Sequence, residues 1–413
     1  MLATLRQRDF SLLWFAGLVS LMGNWMLSVA LKVTVYEMTG SVLAVGGMLL
    51  ATTLPGILFS SVAGVFVDRW ERRRTLIMTN LLLAGVILPL LLVRSDDWLW
   101  LVYVVSFAQS TLSHVFSPAE NAMLPLLSNP KYLMTANALN ALNNNLARLI
   151  GPAVGGLLVV LAGLEGVVIL DALTYLVAAG LIGMISVTSH PGKDRAADVS
   201  FRKLVSEWTE GLRFIWRVHT LRTLLLLDIL PAISESIMYV LFVPFVTEVL
   251  RGDAVLYGGL ASAQAVGGLA GSLVIGAVAA RVRPVRLLAI GALGIGVADL
   301  LLFNYMPFLP FIGIAFGLLI AAGPFAVGLG ASYNTLVQTH VPDSHRGRVF
   351  GMLSLTNALF APVGIAIASV ASEHAGIVPI INFQAYAYLM VGVGALLFLR
   401  ERVARVSPAL SVE

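Results

Sequence analysis

Apolar residues in this chain run on for stretches of about 20 positions, the length a helix needs to cross roughly 30 Å of hydrocarbon, and short polar or charged turns separate one stretch from the next. The runs fall at 10–35, 41–67, 75–94, 98–126, 133–162, 166–187, 221–250, 255–280, 285–305, 308–340, 347–371 and 378–399. This pattern predicts twelve transmembrane helices, of which the fourth, fifth, seventh and tenth are long enough to tilt or to project beyond the bilayer. The first run is too long for the apolar core of a signal peptide and lacks a small-residue cleavage site, so it is expected to stay as a helix. The longest polar stretch, 189–220, divides the chain into six runs before it (1–188) and six after it (221–413). Within it Phe201, Leu204, Val205, Trp208, Leu212, Ile215 and Trp216 recur at helical spacing, with Arg202, Lys203, Arg213 and Arg217 between them. That segment reads either as an amphipathic helix on the inner membrane face or as a plain tether.

The two halves resemble each other. Gly64-x-x-x-Asp68-Arg69 is matched by Gly276-x-x-x-Ala280-Arg281, Asn121 by Asn334 and Pro152 by Pro362, at a nearly constant separation. The chain therefore reads as a parallel duplication of a six-helix unit. An even number of crossings puts both termini on one side. Of the 26 Lys and Arg residues, all but Lys32, Arg94, Arg148 and Arg251 fall in the turns and tails on that side. Basic short loops stay cytoplasmic, so both termini are expected there.

Composition narrows the classes further. Of the 413 residues 58% are hydrophobic and 12% charged, with a mean hydropathy of +0.91; an ordinary globular protein carries about 25% charged residues. A soluble fold is excluded. The net charge of +4 sits where the positive-inside rule puts it, so it gives no reason to expect a nucleic-acid partner. The absence of cysteine excludes thiol chemistry, disulfides and cysteine-ligated metal. There is no nucleotide-binding P-loop, and His114, His190, His219, His340, His345 and His374 are too scattered for a metal site. No metal, no cofactor and no enzymatic activity are expected.

Two motifs carry a specific resemblance. Gly64-x-x-x-Asp68-Arg69-x-x-Arg72-Arg73 lies in the turn after the second run, and Gly151-Pro152-Ala153-Val154-Gly155-Gly156 lies in the fifth. The first resembles the loop signature of the major facilitator superfamily and the second the Gly-Pro-x-x-Gly-Gly core found in its exporters. Together with Ser117-Pro118-Ala119-Glu120-Asn121 and Val341-Pro342-Asp343-Ser344-His345-Arg346-Gly347-Arg348, they are similar to the branch holding macrolide and enterobactin exporters. The resemblance implies an all-α fold of two pseudo-symmetric six-helix bundles. It also implies a latch formed by Gly64, Asp68, Arg69, Arg72 and Arg73 against the Arg346–Arg348 end of the eleventh run, for which a plain topology anchor is the alternative, and a link between Gly151, Pro152, Gly155, Gly156 and antiport. Small residues let helices approach closely and proline frees a backbone acceptor, so helix packing without directional meaning is the alternative.

Ionisable groups at membrane depth are costly and mark function or pairing. Glu235, in the middle of the seventh run beside Pro231, Ser234, Ser236 and Tyr239, is the first candidate for proton coupling, with Asp171, Asp228 and Asp299 behind it. Asn140, Asn143, Asn144, Asn145 and Arg148 are too polar for lipid, so Arg148 is expected to face inward, either paired with a carboxylate or holding an anionic substrate group. Asn24, Trp25 and Met26, with Asn140, Asn144, Arg148 and Tyr239, form the expected substrate surface, since aromatic and apolar groups with a few polar ones suit an amphiphile. Superfamily relatives often carry an acid at the place of Asn24. Lys32 and Glu37 are expected to snorkel at the outer end of the first helix.

The resulting expectation is a monomeric multi-pass protein of the inner membrane, in contact with lipid. It exchanges protons for amphiphilic small molecules of the drug or siderophore type by alternating access. A lipid or lysophospholipid translocator, an uptake carrier, and a non-transporting sensor or scaffold are the other readings.

Overall fold

The structure, a computed structural model, describes residues 2–128, 133–187, 201–342 and 345–399, and within them the side chains of all but 2–3, 57, 59–69, 201–208 and 280. Every regular element in these residues is helical. A single turn, α1 (Leu2–Leu5), precedes α2 (Arg8–Thr39), α3 (Val42–Arg69), α4 (Arg72–Ile87), α5 (Leu99–Leu127) and α6 (Leu133–Gly183). After the linker come α7 (Phe201–Arg217), α8 (His219–Pro244), α9 (Ala254–Val278), α10 (Pro284–Asn304), α11 (Gly313–His340), α12 (Arg346–Ala375) and α13 (Ile377–Phe398). In α6 two spans are joined by one residue: Gly163 takes φ +65°, a conformation open to glycine because it has no Cβ. With its limbs, 133–162 and 164–183, taken separately, the molecule has twelve spans in two halves of six.

Local chemistry explains where the spans depart from the apolar runs. The first span continues to Thr39 because nothing breaks it before Gly40, which adopts φ +60° and donates its N–H to the Tyr36 carbonyl. The tenth begins at Gly313 because Pro307 and Pro310 hold the preceding residues out of helix. α4 tightens into a 3-10 turn, Leu88–Leu92, at Pro89. Large apolar side chains stay exposed around the bundle, Leu161 at 71% and Leu273 at 79%, as lipid-facing residues do.

The duplication is visible in packing. A Cβ on Gly151 would lie 3.0 Å from the Met22 carbonyl oxygen, and one on Gly364 would lie 2.1 Å from that of Ile233. These two glycines therefore occupy the same place, each against the first span of its half. This sets a register in which the counterpart of Pro152 is Ile365, so the equivalence with Pro362 read from sequence is corrected. Close backbone approach fixes the repeat there, and a proline at equal height is not required.

Contacts among the described residues join the halves at the end remote from α7, here called the distal end. Tyr36 of α2 donates its hydroxyl to Glu248, in the π turn Phe245–Val249 that continues α8. The first limb of α6 lies on α9, where a Cβ on Gly156 would come 2.1 Å from the Ala254 oxygen and one on Gly258 2.1 Å from the Pro152 oxygen. α3 meets α12 at Gly46, facing Ser369 and Ile365.

The linker pattern does form a helix, and α7 docks on the second half. Ile215 is fully buried there, Gly211 lies against the Arg348 backbone, and Phe214 stacks on His345 at 4.8 Å. Arg348 pairs with Glu210 at 2.8 Å, while Trp216 remains exposed.

Candidate functional site

Between the halves lies a cavity of about 410 Å³. Its first-half wall carries Trp25 and Lys32 of α2 and Arg148 of α6; its second-half wall carries Glu235 and Tyr239 of α8 and Asp299 of α10. The two walls are opposite in charge. Lys32 stands 5.7 Å from the centroid of the Tyr239 ring, and Arg148 stands 6.0 Å from that of Trp25. Both distances are within cation–π range. Arg148 also donates to Gln264 across the cavity at 3.2 Å. On the acidic side Glu235 accepts the Tyr388 hydroxyl at 2.5 Å and Asp299 accepts the Gln384 amide at 2.9 Å. Among the described residues no ion pair joins the cations to the acids, so each wall can be engaged by a guest.

Lys32 corrects the sequence reading. It was expected to snorkel outward, but α2 runs seven residues further, to Thr39, which leaves Lys32 at cavity depth. Gln264, Gln384 and Tyr388 were not singled out from sequence. Two glutamines within apolar runs are a usable signal, since lipid offers an amide no partner.

Of the expected substrate surface, Trp25, Arg148 and Tyr239 line the central cavity, and Asn24, Met26, Asn140 and Asn144 do not. Consecutive residues of a helix point about 100° apart, so Asn24, Trp25 and Met26 cannot share one wall. Met26 is buried under Gly155. Asn24 turns into the first half, where it accepts from Tyr175 at 2.5 Å and from Gln109 at 3.0 Å. It joins Asn140 and Asn144 around a separate cavity of about 270 Å³.

The four acids divide in the same way. Glu235 and Asp299 face the central cavity. Asp171 sits behind Gly23, where a Cβ would lie 2.0 Å from its Oδ1, and accepts from Thr174 at 3.1 Å. Asp228 lines a third cavity of about 190 Å³ inside the second half, accepting from Asn357 at 3.2 Å and Tyr333 at 3.4 Å. Glu235 borders this cavity as well.

The latch falls largely outside the described residues, since the side chains of Gly64, Asp68 and Arg69 are not described. Arg72 donates to the Ala122 carbonyl at 3.0 Å, and Arg73 to those of Ile182 and Gly183. Both tie the turn to its own half. The fifth-span glycines act as spacers: Gly151 and Gly155 admit the backbone of α2 and Gly156 that of α9, with Pro152 beneath Gly258.

The comparisons with known proteins agree with this geometry. The family model described as transmembrane secretion effector, of the major facilitator type, matches residues 1–409. The multidrug efflux pump Tap of Mycolicibacterium fortuitum is 28% identical, over 95% of this chain and 96% of the relative. Macrolide efflux protein A of Streptococcus pyogenes is 23% identical, over 89% and 90%. A solved bacterial homologue of the iron transporter ferroportin, in an inward-facing state, matches with a TM-score of 0.72 at 14% identity, over 94% of this chain and 98% of that one. At that identity the likeness speaks for the fold. Because one family model runs nearly end to end along a chain already seen to build twelve spans around a central cavity, the chain belongs to the transmembrane secretion effector family of the major facilitator superfamily, and it is a transporter rather than an enzyme.

Proposed function

We propose that this transporter exports amphiphilic small molecules of the drug or siderophore type from the cytoplasm in exchange for protons. In this reading it sits in the inner membrane as a monomer with both termini inside. The observation that carries the reading is the central cavity with its two unlike walls. Aromatic faces of Trp25, Tyr239 and Tyr388 receive apolar parts of a guest, and Lys32 or Arg148 receives an anionic or polar group. Glu235 is the coupling residue. It is reachable from the cavity and bonded to a neutral hydroxyl rather than a cation, so a proton and a guest compete for it as exposure alternates. The efflux relatives support the direction, and the basic turns at the α7 end support the orientation. Alternating access requires the distal contacts to part and re-form.

The test is transport by protein reconstituted in liposomes under an imposed pH gradient, with a macrolide or a lipophilic dye as guest. Glu235→Gln is expected to bind guest and lose the dependence on the gradient. Flux with unaltered pH dependence in that variant overturns the assignment of Glu235.

A further inference from the structure

The cavity inside the first half and the one inside the second are counterparts. Position by position, Asn24 corresponds to Glu235, Ser117 to Gly330, Asn121 to Asn334 and Tyr175 to Tyr388 in the two linings. The bond from Tyr175 to Asn24 is repeated by that from Tyr388 to Glu235, each 2.5 Å. In the same register Gly17 corresponds to Asp228 and Glu120 to Tyr333. Tyr333 approaches Asp228 in the second half. In the first, Glu120 reaches over Gly17, where a Cβ would lie 2.8 Å from its Oε1. Both halves therefore place a carboxylate at one equivalent point, delivered by α8 in the second half and by α5, from the opposite side, in the first.

Among the described residues the lining around Glu120 mixes polar groups with Leu21, Leu83 and Phe116 and holds no cation. From α2 the cavity receives Ser20 and Asn24, from α4 Asn80, and from α6 Asn140, Asn144 and Tyr175. Tyr175 is the one other titratable group in this lining, and its hydroxyl is engaged by Asn24. Arg72 of α4 approaches the same turn of α5 but gives its N–H to the Ala122 carbonyl. Among the described residues Glu120 has no hydrogen bond or ion pair. Asn80 is fully buried with its Oδ1 unpartnered. A carboxylate at membrane depth without a cation is costly when charged, and here an orphaned amide oxygen borders the same space, short of a donor.

We propose that Glu120 is a proton-binding site of the first half, quasi-equivalent to Asp228 in the second, so that each bundle carries a proton of its own. The use of that proton in exchange rests on the function proposed above; its binding does not. The experiment is infrared difference spectroscopy of the full-length protein in liposomes, between acidic and alkaline buffer without substrate, reading the C=O stretch of protonated carboxyl groups. One titrating component is expected to be absent in Glu120→Gln and present in Asp228→Asn. It should return when Gly17→Asp is combined with Glu120→Tyr, which rebuilds in the first half the arrangement of the second. Glu120→Asp, which keeps the acid, is expected to move that component rather than remove it, and serves if the Gln variant does not fold. Spectra of Glu120→Gln matching those of the parent protein overturn the proposal, as does a component at Glu120 that responds to sodium at fixed pH. A proton seen at Glu120 in a protein whose flux ignores the pH gradient defeats the exchange reading and leaves this site standing.

Discussion

A single methyl group separates tolerated from damaging changes along α6. At Gly156 a Cβ would meet the Ala254 carbonyl oxygen at 2.1 Å, and neither backbone can yield without parting the halves. Overpacking of this kind costs about 1–3 kcal/mol, so Gly156→Ala is expected to lower the melting temperature in detergent. Gly180→Ala has open space around it and should leave melting unchanged or raise it, since alanine is the better helix former by about 1 kcal/mol. Equal melting of the two variants would contradict the close approach of α6 to α9. The Gly-Pro-x-x-Gly-Gly run was legible in the sequence as a place of close packing, because small residues have few other reasons to cluster in a span. Which neighbour each glycine admits was not legible. Nor was the importance of Glu120: its helix also carries Pro118 and Pro125, and nothing in one span reveals that Gly17 of another leaves room for a carboxylate.

At the scale of elements, α7 shows how unequal two contacts of one helix are. The Arg348–Glu210 pair is short, but its side chains are 37% and 50% exposed, and exposed pairs of this kind contribute about 0–1 kcal/mol. Ile215 is fully buried, and truncating such a residue costs about 2–5 kcal/mol. Ile215→Ala is therefore expected to loosen α7, seen as faster proteolysis of the linker, while Arg348→Ala leaves the cleavage rate within a factor of about five of the parent. The reverse order would mean that charge holds α7 in place. The periodicity of Leu212, Ile215 and Trp216 announced the helix from sequence. Its docking partner did not show, because an amphipathic face fits a protein groove as well as a membrane surface. For α2 the limit was rotation: a helix whose few polar residues, Ser20, Asn24 and Lys32 among them, do not form one polar face carries little mark of which residue faces the central cavity. Lys32 was misplaced for a related reason, since whether a lysine snorkels depends on where its helix stops.

The number of spans and the division into halves could be read from the chain because hydrocarbon thickness dictates how long an apolar run must be. The closure of the whole molecule could not, as it depends on contacts between residues far apart in sequence. The Tyr36–Glu248 hydrogen bond joins α2 to the turn after α8 at the distal end. Removing the hydroxyl with Tyr36→Phe is expected to favour distal opening. Because the chain has no cysteine, one placed at Ala261, on the cavity wall, is the sole thiol. An impermeant thiol reagent added from the distal side should label it faster in the Tyr36→Phe background. Labelling at the parent rate would show that this bond does not hold the end shut. Orientation follows from the same chemistry: a cysteine appended after Glu413 is expected to react only with reagent on the cytoplasmic side. Reaction from outside would reverse the topology.

Gly163 turns the chain between two spans within a single residue, and Gly376, at φ +82°, does the same between α12 and α13. At these two turns so little chain lies beyond the helices that an antibody or a protease meets few epitopes and few scissile bonds in them. On the same side the stretch 305–312 lies outside helix, with Phe308 and Phe311 exposed, so a binder would find more to grip there and an inserted tag would be tolerated more readily than at either glycine.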